Sequence, residues 1–103
     1  MKINFDTILT NLNGQALKDE KDEPTSLKTV AVNALMQPYP DERELSGEDK
    51  LKRFSIALLI QPGGDIDLNA EQVSLIKKLI GKLYTPLIVG RAYPLLDPPA
   101  DAK

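Results

Sequence analysis

The chain has 103 residues, 13 basic and 15 acidic side chains, a net charge of −2, and neither cysteine nor histidine. That length fits one domain, and the charge balance offers neither the basic excess with which duplex-binding domains neutralise phosphates nor the acidic excess of a DNA mimic. The missing cysteines and histidines remove disulfides, thiolate nucleophiles, cysteine-held metals and imidazole acid–base chemistry.

In chain order, Ile3, Phe5, Ile8, Leu9, Leu12, Ala16 and Leu17 are the apolar residues of the first segment, and Asn13-Gly14 sits between Leu12 and Gln15. Asn-Gly between apolar stretches is the strongest short hairpin signal, so strands are predicted near 8–12 and 15–18, around a two-residue type I′ turn, within a hairpin covering 3–18. A lone hairpin is marginal in water, so its apolar face must cover the helices or a partner; whether it pairs within one molecule or between two stays open. Asp19-Glu20-Lys21-Asp22-Glu23-Pro24 reads as a solvated linker. No internal repeat is discerned.

Four helices are expected next. The first, about 26–36, is capped by Thr25 or Ser26, carries Leu27, Val30, Ala31, Ala34 and Leu35 at helical spacing, and ends before Pro38 and Pro40. The second, about 46–60, opens on Ser46 with Asp49 three residues on; Leu51, Phe54 and Leu58 share one face, Lys50, Lys52 and Arg53 occupy the others, and past Ala57 the helix is apolar all round, so its C-terminal half is expected to be buried on several sides. Gln61-Pro62-Gly63-Gly64 stops it, the two glycines forming a helix end and turn. The third, about 70–84, has Asn69 and Gln72 as a capping box and Val73, Ile76, Leu79, Ile80, Leu83 and Tyr84 as its apolar stripe. The fourth, about 86–93, takes Thr85 as its cap and Pro86 at the first helical position; Gly90 allows close packing on the third helix, Pro94 ends or kinks it, and 97–103 form a disordered tail. The fold class is mainly α (α+β), an N-terminal hairpin before helices in one domain, with Leu58, Leu59, Ile60, Ile76, Ile80, Leu83, Leu87 and Ile88 as the expected core.

No motif carries a reaction. Asp65-Ile66-Asp67-Leu68-Asn69 begins like a calcium loop, but the turn glycine and closing glutamate are replaced by Ala70 and Ile76. Gly63-Gly64 lacks the surroundings of a phosphate loop. Asp41-Glu42-Arg43-Glu44 clusters carboxylates, but on a loop where they read as solvated rather than driven apart in pKa. Ser46 and Ser55 have no histidine to activate them. The expectation is a non-enzyme without metal or cofactor. Basic residues at 50, 52, 53, 77, 78 and 82 would make a patch only if folding aligned them, and nine residues from Gln61 to Asn69 are too many for a helix-turn-helix. Tyr39, Arg43, Lys50, Arg53, Arg91 and Tyr93 are the candidate partner-binding residues, led by Tyr39 between two prolines; tyrosine and arginine are enriched in interface hot spots. Met1 to Asp6 hold no signal-like run and Ile56 to Ile60 is too short for a membrane span, so an intracellular, soluble protein is expected.

The segments Met1-Lys2-Ile3-Asn4-Phe5-Asp6-Thr7-Ile8-Leu9, Leu12-Asn13-Gly14, Leu45 to Phe54, Ile76 to Lys82 and Thr85-Pro86-Leu87-Ile88-Val89-Gly90, in this order, resemble small uncharacterised proteins of tailed bacteriophages and prophages over roughly residues 1–96. Pro94 and the proline-rich tail depart from that pattern. The resemblance implies a phage accessory protein in the host bacterial cytoplasm, working by protein–protein binding, for example in virion or tail assembly. It supplies no catalytic residue. An inhibitor of a host protein or defence system, and a nucleic-acid-binding regulator, are the alternative readings.

Overall fold

The computed structural model describes residues 2–42 and 44–97. The chain is mainly helical: β1 (Lys2–Asn4), α1 (Leu27–Met36), α2 (Gly47–Ile60), β2 (Asp65–Asp67), α3 (Ala70–Leu83) and α4 (Pro86–Leu96). Helix α1 lies between α2 and α3, and α4 covers α3 and touches β1. The radius of gyration, 13.7 Å, is close to the roughly 13 Å of a folded 100-residue domain.

The two regular strands come from the chain start and from the α2–α3 connection. β1 and β2 pair antiparallel with Ile3 opposite Ile66, so the chain start is held by a segment read from sequence as a loop. The Pro62-Gly63-Gly64 turn makes this possible. Gly63 and Gly64 have φ of +78° and +75°, and a Cβ on Gly63 would lie 2.5 Å from Asp6 Oδ1. The Phe5 amide donates to the Gly64 carbonyl at 2.9 Å, and the Phe5 side chain is wholly buried.

The predicted hairpin is present as a turn with a single bridge, Thr10 to Ala16, and not as two regular strands. Its loop has three residues. The Gly14 amide donates to Asn11 O at 3.1 Å and only Gly14 takes a positive φ, whereas a type I′ turn needs two. Asn11 Oδ1 accepts from the amides of Asn13 (2.8 Å) and Gln15 (3.1 Å), which fixes the longer loop.

Eight residues later the same turn recurs. Asp22 N donates to Asp19 O at 2.9 Å, Asp19 Oδ1 accepts from Lys21 (2.8 Å) and Glu23 (3.0 Å), and Asp22 takes φ +63° where Gly14 stands in the first copy. The supposed linker is therefore a structural repeat. The two turns arrange three short segments in a closed triangle: Leu9 N–H to Thr25 O, Thr25 N–H to Leu17 O, and Leu17 N–H to Leu9 O, all at 2.8–2.9 Å. The hairpin edge is thus paired within one molecule. The segment then supplies carbonyls to α1, whose first amides, Leu27 and Lys28, donate to Thr7 O and Phe5 O.

Caps follow the sequence closely. Ser26, not Thr25, caps α1; Ser46 Oγ accepts from Asp49 N at 3.0 Å; and Asn69 and Gln72 form both bonds of a capping box. Thr85 occupies the N-cap of α4 without a side-chain bond. Helix α4 does not stop at Pro94 but runs to Leu96, because Pro94 and Gly90 both lie on its exposed side, where solvent can reach the carbonyl deprived of its amide. Gly90 meets no neighbour; the close approach is at Gly81, where a Cβ would lie 2.6 Å from Tyr93 Oη. Asp97 pairs with Lys77 at 3.0 Å and so belongs to the fold; the remainder of the expected tail, 98–103, falls outside the described residues.

The largest correction concerns α2. Its buried face is Arg53, Ile56, Ala57 and Ile60. Leu51, Phe54, Leu58 and Leu59 are exposed, so Leu58 and Leu59 leave the expected core. Ile60, Ile76 and Ile80 are buried, while Leu83, Leu87 and Ile88 are half-buried.

Candidate functional site

Helix α2 packs on α1 by one side and turns an apolar stripe outward. Leu51 is 63% exposed, Leu58 57%, Leu59 48% and Phe54 45%, far above what core leucines retain. Residues three and seven apart share a helix face, so Leu51, Phe54 and Leu58 are contiguous. Beside Phe54 lies a groove of about 310 Å³ between the end of α1, the 37–45 loop and α2, walled by Leu35, Met36, Pro38, Tyr39, Leu45 and Phe54. Met36 is itself 52% exposed, so apolar surface continues from the stripe onto the groove. Lys50 stands at its lip and is exposed.

The helix is held in this orientation by ions rather than by its leucines. Arg53 Nη1 and Nη2 bond Glu42 Oε1 and Oε2 at 2.8 and 2.7 Å, a two-pronged pair with side chains only 9% and 13% exposed. Lys82 of α3 reaches Glu42 at 3.2 Å and Asp41 at 3.0 Å. The Arg53 guanidinium, helped by Lys82 and opposed by burial, holds the Glu42 carboxyl down to about 2. Glu42 in turn holds the Arg53 guanidinium above its ordinary value, and Asp41 does the same for Lys82. Glu42 is therefore a shielded ion-pair anchor and not a solvated group, whereas Asp41 pairs with Lys82 from an exposed position. Beside this cluster Lys52 pairs with Glu71 of α3.

The sequence-derived candidates do not assemble into one surface. Tyr39 forms part of the groove wall, but its hydroxyl donates to Ala34 O (2.8 Å) and Leu79 O (3.2 Å), tying the loop to α1 and α3, and burial raises its pKa. Arg53 is buried beside it. Lys50 is the exposed candidate at the rim. Arg91 lies elsewhere, donating to Thr10 O at 3.1 Å and Asn11 O at 2.8 Å, where it fastens the first turn to α4. Tyr93 donates to Lys77 O at 2.7 Å on the α3–α4 seam. Arg43 falls outside the described residues.

Leu51, Phe54, Leu58, Leu59 and Met36 were not among those candidates. The signal was present: α2 is apolar on more faces than one neighbour can cover, and Arg53 could displace the leucines from the core only if a carboxylate met it. Nothing adjacent in sequence marks Glu42 as that carboxylate.

Among the described residues no three acidic side chains converge as a metal site, and no helix is long and apolar enough to cross a membrane. No protein-family model, no curated protein and no solved structure matches the chain significantly.

Proposed function

We propose that the chain acts without catalysis, by binding a protein through the outward face of α2 and the groove beside it, in the phage-assembly setting that its sequence resemblance implies. The observation that carries this reading is the contiguous exposure of Leu51, Phe54, Leu58 and Leu59, extended by Met36. A contiguous apolar patch with a polar rim is the mark of an interaction surface, while scattered exposed leucines need no explanation. The groove offers a cavity for an anchoring side chain, the usual centre of a protein interface.

Other features point the same way. Glu42 is held ionised by two cations, the reverse of the raised carboxyl a general acid requires. Of the six basic residues of α2 and α3 that could have formed a patch, Lys52, Arg53, Lys77 and Lys82 are each engaged by a carboxylate, which weighs against a nucleic-acid regulator.

The test is capture from a phage-infected lysate by the tagged chain, comparing wild type with Leu51→Asp and Leu58→Asp, and with Leu12→Asp as an exposed control. Virion proteins retained by wild type and by the control, but lost by both α2 variants, are the expected result. Capture indifferent to the α2 variants overturns the assignment of this face. Capture of host proteins alone, through the same face, removes the assembly setting and favours a host inhibitor.

A further inference from the structure

Resting on that reading of α2, we propose that the groove beside Phe54 takes an acidic amphipathic helix of the partner protein. One large apolar side chain of that helix enters the groove, and a carboxylate one turn away along it meets Lys50.

Charge selects the carboxylate. Three charged residues line the groove: Glu42 and Arg53 face each other in a shielded pair, and Lys50 stands exposed at the lip. Among the described residues Lys50 has no carboxylate partner, whereas Lys52, Arg53, Lys77 and Lys82 each hold one. The positions three and four away on α2 and its cap are Ser46, Gly47, Arg53 and Phe54, so no acidic neighbour within the helix serves it. Glu48 and Asp49 do not line the groove; Asp49 borders a separate opening that shares Leu45, together with Asp41 and Glu44. A basic segment laid in the groove would therefore set like charges against each other at Lys50, while an acidic one completes the pair.

The walls select a helix. Both long walls, α1 and α2, are helices, so the groove has no strand edge for an extended peptide to join. A helix arrives with its own backbone paired and presents anchors three, four and seven residues apart. The outward stripe has the same repeat at Leu51, Phe54 and Leu58, so anchors on either side of the one in the groove lie over the two leucines. Lys50 and Phe54 are four residues apart, about 6 Å along α2, which places the partner's carboxylate three or four residues from its groove anchor.

The two contacts have different jobs. The polar wall groups are already bonded, Tyr39 Oη to Ala34 O and Leu79 O and Arg53 to Glu42, so the cavity of about 310 Å³ offers apolar burial and supplies the affinity. An exposed ion pair at the lip adds little strength and fixes which way the helix runs.

The probes are peptides drawn from a yeast-displayed library of random helical sequences, selected on the wild-type chain and depleted on Phe54→Ala. The expected winners carry an aromatic or leucine anchor with Asp or Glu three or four residues from it. Their affinity should fall roughly five- to tenfold for Lys50→Glu at unchanged circular dichroism, and a winner whose acid is replaced by lysine should prefer Lys50→Glu to wild type. Winners without an acid at that spacing, or indifferent to Lys50→Glu, overturn the carboxylate contact. A library that yields no Phe54-dependent binder overturns the helix, as does free decanoate binding the groove as tightly as the winners, which would assign it to small apolar acids. If lysate capture is lost with Leu51→Asp and Leu58→Asp but unchanged by Lys50→Glu, the acidic helix alone falls; if capture is indifferent to those leucines, the binding face falls with it.

Discussion

At the scale of single residues, the seam between α3 and α4 turns on the pair Gly81 and Tyr93. Glycine in a helix interior normally costs about 1 kcal/mol relative to alanine, so Gly81→Ala in isolation should stabilise the chain. It does not have room to do so, because the new Cβ would sit 2.6 Å from a Tyr93 hydroxyl that is itself held by Lys77 O at 2.7 Å. The ring cannot swing away without losing that bond and its place under the Lys77 ammonium, 5.2 Å from the ring centroid. Gly81→Ala is therefore expected to destabilise the wild type by about 1 kcal/mol, and to stabilise the Tyr93→Phe variant by up to about 1 kcal/mol, since the next ring atom is 3.8 Å away. Urea denaturation of the four proteins of this cycle reads the reversal of sign; an equal effect in both backgrounds means that Tyr93 Oη is not what reserves this position for glycine.

At the scale of elements, α3 was legible because every level agreed: a capping box at Asn69 and Gln72, one apolar stripe, and lysines opposite. Helix α1 was legible for the same reason. Helix α2 was located correctly and rotated wrongly. Its leucines outnumber what one face holds, and burial of Arg53 depends on Glu42, eleven residues back in a loop, a partnership that periodicity does not encode. The strand at 65–67 was missed because its partner lies some sixty residues away, and the repeat of the Asn11 turn at Asp19 was hidden because asparagine-leucine-asparagine-glycine and aspartate-glutamate-lysine-aspartate share backbone chemistry rather than identity. Which face of α2 is buried can be read from stability. Ile56→Ala should cost 2–4 kcal/mol, roughly the range for a truncated core isoleucine, whereas Leu58→Ser should change monomer stability by under about 0.5 kcal/mol. Comparable losses from both substitutions would restore the leucine face to the core.

At the scale of the whole molecule, the Glu42 cluster joins three pieces at one point: the 37–45 loop, α2 through Arg53 and α3 through Lys82. Its behaviour with pH follows from a lowered carboxyl. Glu42 in the folded chain titrates at about 2 against an ordinary 4.5, so the folded state favours the ionised form. The stabilisation is complete above the unfolded value and disappears as pH falls through the folded one. Stability should thus be lost between about pH 4.5 and 2, on the order of 2 kcal/mol from this group, since the side chains are mostly but not wholly shielded. Glu42→Gln should cost a similar or larger amount at pH 7, about 2–4 kcal/mol, because it leaves the guanidinium of Arg53 buried against a neutral amide. It should also flatten the acid limb of the stability curve, as the group responsible is gone. Guanidinium or urea melts of both proteins from pH 7 to 2.5 distinguish the outcomes. If the variant keeps the same acid dependence, other carboxylates drive the loss; if it keeps wild-type stability at pH 7, α2 is held by its apolar contacts with α1 alone. Because Arg53 orients α2, loosening this cluster should also blur the outward stripe. Glu42→Gln is accordingly expected to weaken protein capture through the α2 face at pH 7, and a pull-down with the variant beside wild type reads that coupling from stability to binding.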